Sequence, residues 1–298
     1  MPIFAAPDGT RLAHHTRGEG EPLLCLPGGP MRASAYLGDL GGLRRHRRLC
    51  VLDLRGTGDS GLPADPATYR CDRQVQDVEA FRAHLGLDRV DLLAHSAGGD
   101  LALLYAVRHP ERVRSLTLVT GRARALGVDF TAEHRAEAAA RREAEPWFAS
   151  AREPYGRIWA GTATDADWDA ATPFFYGRWD AAARAHAATE VEQTNEEAAE
   201  RYAAPGAFRP DEARAAVAAL DARVLIVAGA LDSGPLPRVA ATVAGLFPRA
   251  ELAVLPGAGH FPWLDDPLGF SETVARFLAL ADGRGTAGGA SRRGRPRS

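Results

Sequence analysis

The stretch DLLAHSAGGDLALLYAV, Asp91 to Val107, carries the most information in this 298-residue chain. An apolar run, Leu92-Leu93-Ala94, leads into His95-Ser96-Ala97-Gly98-Gly99 and then into residues with helical spacing. The pattern is a nucleophile elbow, G-x-S-x-G, with Ala94 in the first glycine position. Its small residues have a steric reason. The serine must take a strained, positive-φ turn so that its hydroxyl projects from the sheet edge. Strand and helix then pass so close that the residues two before and two after must be small. Ala94 adds one methyl; Gly98 is intact. Taken alone, the motif is also compatible with an ordinary strand–helix turn carrying a polar residue.

Similar apolar runs lie on both sides of the elbow: PLLCLPGG (22–29), RLCVLDLRG (48–56), VRSLTLVTG (113–121), RVLIVAGALD (223–232) and AELAVLPGAGH (250–260). Most close on Gly, Pro, Ser or Asp, as strands buried on both faces do. Helical spacing over 73–85, 97–108, 236–247 and 267–281 alternates with them. Together they predict an α/β fold, a mostly parallel sheet with helices on both faces and right-handed crossovers. From about Arg122 to Arg214 the alternation stops, and only Ala-, Glu- and Arg-rich helical sequence with many aromatics follows, among them Trp147, Phe148, Tyr155, Trp159, Phe174 and Phe175. The expected organisation is a core of 1–121 and 215–282, an inserted helical lid of 122–214, and a disordered, basic, Gly/Arg-rich tail of 283–298.

Composition narrows the function. The chain is 46% hydrophobic and 25% charged with a net charge of −2, so no nucleic-acid or anionic-membrane partner is indicated. MPIFAAPDGTRLAHH does not read as a secretory leader, and no segment nears the roughly 18 apolar residues of a membrane helix. The three cysteines, Cys25, Cys50 and Cys71, lack metal-like spacing; Cys25 and Cys50 read as reduced core thiols. A cytoplasmic protein is expected, with no cofactor, no metal and no His/Cys metal cluster.

A serine hydroxyl needs a base, and the base needs an orienting acid. Asp232 follows RVLIVAGAL and His260 follows AELAVLPGAG, both at the C-terminal ends of predicted strands, where open α/β sheets place their sites. Order and placement give the triad Ser96, Asp232, His260. His95 adjoins the serine and is expected to point away from its hydroxyl. His14, His15, His46, His84, His109, His134 and His186 read as surface positions away from strand ends, and Asp53 as structural. CLPGGP, Cys25 to Pro30, places glycines after the first core strand, and the backbone N–H groups of Gly29 and Ala97 are the expected oxyanion hole.

With these residues in hand, the chain resembles the α/β-hydrolase superfamily over nearly its whole length. PGGP and DLRGTGDS resemble the proline iminopeptidase-like branch, whose members carry H-G-G-P-G and D-Q-R-G-x-G-x-S at those places. Here Pro27 stands for the histidine, Met31 for the last glycine and Leu54 for the glutamine. The resemblance implies that Gly56, Gly58 and Gly61 form a structural turn, although they spell G-x-G-x-x-G. A dinucleotide loop opens directly into a helix, and LPADPATY follows here instead. The resemblance also implies that lid glutamates meet a substrate amine. In ATEVEQTNEEAAERY the candidates are Glu196 and Glu197; if the run is one helix, Glu192, Glu196 and Glu200 share a face. The reading is a serine hydrolase that cleaves a small amide, peptide, ester or lactone through an acyl-enzyme. Acyl transfer or cyclisation on the same triad stays open, as does a ligand-binding protein of the same fold. The partner is a small molecule or short peptide; oligomeric state is not legible.

Overall fold

The computed structural model describes residues 2–282; the expected basic tail, 283–298, lies outside them. Eight strands form one sheet: β1 (Ile3–Ala5), β2 (Arg11–Arg17), β3 (Pro22–Leu26), β4 (Arg48–Leu52), β5 (Val90–His95), β6 (Val113–Val119), β7 (Arg223–Gly229) and β8 (Ala250–Leu255). Their order is β1-β2-β4-β3-β5-β6-β7-β8, with β1 and β2 antiparallel and the remainder parallel.

The apolar runs become strands because both of their faces are covered. In β3, Leu24 and Leu26 enter one core while Leu23 and Cys25 enter the other. The first core is completed by α1 (Cys71–His84) and α2 (Gly98–Arg108), through Val78, Phe81, Leu101 and Tyr105. The second is closed by the C-terminal helix through Phe270, Val274, Phe277 and Leu278. The three cysteines are free and buried.

The sequence reading missed β1 and β2. In RLAHHTR only one stretch is buried, and an antiparallel edge strand needs no continuous apolar run. It also expected the last strand to be buried on both faces. β8 has a neighbour on one side only, and Glu251, Leu252 and Val254 are exposed.

Between β6 and β7 lie α3 (Ala132–Ala140), α4 (Phe148–Ala160), α5 (Asp165–Ala171), α6 (Ala181–Ala187), α7 (Glu190–Gln193), α8 (Glu196–Tyr202) and α9 (Pro210–Val217). The remaining helices are α10 (Pro237–Ala244), α11 (Pro262–Asp265) and α12 (Pro267–Ala281). The inserted helices hold a small core of their own, where the Phe174 ring stacks on Tyr155 at 4.3 Å and meets Trp147 edge-on at 4.9 Å. The acidic run is not one helix. Thr194 and Asn195 are extended because they pair with the loop after β3: Ala33 N–H donates to Gln193 O at 2.8 Å and Asn195 N–H to Met31 O at 3.0 Å. Asn195 then caps α8, so Glu192 sits on a different helix from Glu196 and Glu200. Among the described residues, no helix is long and apolar enough to cross a membrane.

Candidate active site

The elbow is built as its small residues require. Ser96 stands between β5 and α2 with φ +50°, a left-handed backbone that a non-glycine residue adopts at a cost of about 1–3 kcal/mol. Its backbone is fixed on three sides: Ser96 N–H donates to Val119 O at 3.1 Å, and Ser96 O accepts Gly99 N–H and Arg122 N–H, each at 2.9 Å. A Cβ on Gly98 would run into the carbonyl of Pro27. A Cβ on Gly28 would come within 2.8 Å of Ser96 Cβ, so the Pro27–Gly29 loop lies directly against the serine.

Three strand ends converge on the hydroxyl. Ser96 Oγ is 2.8 Å from His260 Nε2, and His260 Nδ1 is 3.1 Å from each carboxylate oxygen of Asp232. Asp232 is fully buried, and its Oδ1 also accepts Gly234 N–H at 2.8 Å. An ionised carboxylate only accepts, so His260 carries its proton on Nδ1 and turns the lone pair of Nε2 toward the serine hydroxyl. Ser96 itself is 6% exposed.

Gly29 and Ala97, the expected oxyanion donors, flank this point. Neither N–H has an acceptor among the described residues. Ala97 is the N-cap of α2, where free N–H groups and the helix dipole favour negative charge. The neighbouring Gly28 N–H is engaged by the Tyr36 hydroxyl at 2.6 Å.

The main chain of His260 is held from several directions that the sequence reading did not identify. Its N–H donates to Phe175 O at 2.8 Å, and its carbonyl accepts from Thr120 Oγ1 and His95 Nε2, each at 2.9 Å. Asp265 accepts Gly259 N–H at 2.8 Å and Gly177 N–H at 3.0 Å, joining the histidine loop to the inserted segment. Thr120 sits at the end of β6, a position that strand-end reasoning could have flagged; Tyr36 and Phe175 carry no sequence signal. His95 does turn away from the Ser96 hydroxyl, toward Tyr36 and the His260 carbonyl.

Two histidine expectations need correction. His14 is 3% exposed, in β2 between Phe4 and Phe81, and burial lowers its pKa to about 4. His186 is half-buried against Tyr36 and Phe261, its pKa likewise lowered to about 4 by burial and the Arg32 charge. Neither is a surface histidine. Glu196 and Glu197 are exposed at the start of α8; Glu197 pairs with Arg201 at 3.3 Å, and no hydrogen bond or ion pair joins either residue to the serine cluster.

The glycine-rich loop belongs to Asp53. A Cβ on Gly58, φ +51°, would strike the Asp53 carboxylate, which accepts Ser34 N–H, Asp59 N–H and His15 Nε2–H at 2.9–3.0 Å. His15, Asp53 and Asp59 do bring potential metal-ligand atoms within 4.8 Å of one another, a grouping the sequence reading did not find. The bonds to Asp53 account for it as a clamp on the turn. No helix opens directly at Gly61, since a short 3-10 turn at Pro66–Tyr69 comes first and α1 follows it, and the Arg55 guanidinium beside the loop bridges Asp77 and Asp8.

With this geometry in place, comparison with known proteins is decisive for the family. The family model for the alpha/beta hydrolase fold matches residues 21–267. The chain belongs to that family. This hydrolase is 28% identical to a proline iminopeptidase of Levilactobacillus brevis, over 95% of this chain and 96% of that protein. It is 30% identical to a 2-hydroxymuconate semialdehyde hydrolase of a Pseudomonas strain, over 94% of both chains. Among solved structures it is similar to the proline iminopeptidase of Mycobacterium smegmatis, with a TM-score of 0.72 at 25% identity, over 94% of this chain and 99% of that one. The likeness to the proline iminopeptidase-like branch read from PGGP and DLRGTGDS is thus borne out across nearly the full length.

Proposed function

We propose that the protein is a serine hydrolase that works through an acyl-enzyme on Ser96, His260 and Asp232. The observation that carries this reading is the continuous hydrogen-bond run from Ser96 Oγ through both ring nitrogens of His260 to a buried Asp232. Ser96 Oγ attacks the substrate carbonyl as His260 Nε2 takes its proton, and Asp232 stabilises the imidazolium. The oxyanion of the tetrahedral intermediate accepts from the N–H groups of Gly29 and Ala97. His260 then protonates the leaving group. Water, deprotonated by the same ring, releases the acid and restores the serine.

The substrate is a small amide, peptide, ester or lactone. The helices between β6 and β7 act as a lid over the serine. Glu196 and Glu197, exposed at the start of α8, are the candidates to meet a substrate amine, and the resemblance alone carries that role. An L-proline arylamide presents an amide and an aryl ester an ester, so these are the substrates to compare. Labelling by a fluorophosphonate that is lost in Ser96→Ala, together with turnover of one of these, supports the reading. Turnover that persists in Ser96→Ala overturns it.

One observation favours a second reading. The inserted helices carry an aromatic cluster, and an aromatic lid that excludes water suits acyl transfer to an alcohol or amine. Product analysis with a competing nucleophile separates the two: a transfer enzyme gives the ester or amide, a hydrolase the free acid.

A further inference from the structure

The hydrogen bonds around His95 fix one another's direction. The His260 carbonyl can only accept, so the His95 nitrogen 2.9 Å from it, Nε2, carries the ring proton. In the neutral ring Nδ1 is then an acceptor, and the Tyr36 hydroxyl, 2.7 Å away, donates to it. That leaves the Tyr36 oxygen to accept Gly28 N–H at 2.6 Å. The run goes from the Gly28-Gly29 loop to the main chain of His260, with each group used in one direction. His95 is 2% exposed, its ring centroid 4.9 Å from that of His260 and 4.7 Å from Trp263. Burial and the neighbouring His260 push its pKa well below the usual histidine value. A second proton would set a ring N–H against the Tyr36 O–H, so neutrality is a condition of the arrangement.

We propose that Tyr36 and His95 are positioning residues that tie the oxyanion loop to the catalytic histidine. The proposal rests on the serine-hydrolase reading above. Gly28 N–H, held by Tyr36, aims the next N–H along the chain, that of Gly29; His95, held by the same hydroxyl, steadies the peptide on which His260 hangs. Thr120 Oγ1 also donates to the His260 carbonyl, so losing His95 loosens the base and does not release it.

The test is the second-order rate of fluorophosphonate labelling at Ser96 in the full chain. Wild type, His95→Gln, His95→Asn and Tyr36→Phe are compared below their melting temperatures, with Ser96→Ala as control. Glutamine places an amide N–H near the position of Nε2 and keeps the donor to His260. Asparagine reaches only the position of Nδ1, keeping the acceptor for Tyr36 and losing that donor. The expected result is labelling about tenfold slower for Asn than for Gln, the loss of one buried hydrogen bond. Tyr36→Phe is expected to slow labelling by a similar factor without moving the pH midpoint of the rate, because the base itself is untouched.

Equal rates for Gln and Asn that fall only in step with thermal stability would mean packing alone and overturn the proposal. So would wild-type rates in all three variants. If neither His95 variant folds, Tyr36→Phe carries the test. Wild-type protein that fails to label at Ser96 removes the hydrolase reading and this proposal together. Normal wild-type labelling with indifferent variants removes the proposal alone.

Discussion

Asp232 gives the sharpest single-side-chain expectation. Asparagine can present its N–H₂ to His260 Nδ1, which moves the ring proton to Nε2 and turns a donor toward the serine hydroxyl. Asp232→Asn is therefore expected to fold and to lose about 10⁴-fold in kcat, read against the best substrate found. Glu197 is the opposite case. Its carboxylate is exposed and engaged by Arg201, so Glu196→Gln and Glu197→Gln are each expected to leave KM for L-proline arylamide unchanged. A severalfold rise in KM would return those side chains to the substrate.

Local segments differ in how far their sequence specifies them. The elbow is specified closely: Gly98→Val would set its Cβ against the Pro27 carbonyl oxygen, and a loss of about 1–3 kcal/mol is expected from denaturant unfolding. Asn195 works through two contacts, accepting Ala198 N–H as the cap of α8 and donating to Gly56 O at 2.8 Å. Asn195→Ala should cost about 0.5–2 kcal/mol, seen as a lower Tm. The parallel strands were legible because burial on both faces leaves an unbroken apolar run, and the hydrogen-bonded group of Ser96, His260 and Asp232 was legible because its members follow such runs. What was not legible depends on residues distant in the chain. The break at Thr194 exists because of the loop at 31–33. Tyr36 meets His95 from 59 residues away and Thr120 meets the His260 carbonyl from 140, so no local pattern announces either. β1 and β2 escaped notice because a partly exposed antiparallel edge can be polar.

Across the entire protein, buried histidines are expected to lower stability toward acid. His14 and His186 titrate near pH 4 in the folded state, below the ordinary histidine value of 6.5. The unfolded chain therefore binds more protons than the folded one between pH 4 and 6.5. Stability is complete above that window and falls as pH drops through it, by up to about 1.4 kcal/mol per pH unit for each residue. Thermal melts from pH 7.5 to 4.5 should show this decline, and His14→Phe should flatten it; an unchanged slope would place the acid sensitivity elsewhere. The bond from His260 N–H to Phe175 O has a different reach. The strand that precedes His260 is the outermost of the sheet, so much of the support for its loop comes from helices inserted near the middle of the chain. Those helices are consequently not an interchangeable module. A chimera that received a relative's 122–214 segment is expected to keep a sound sheet and a labelled Ser96, yet to run slowly because the graft no longer braces the loop that carries His260.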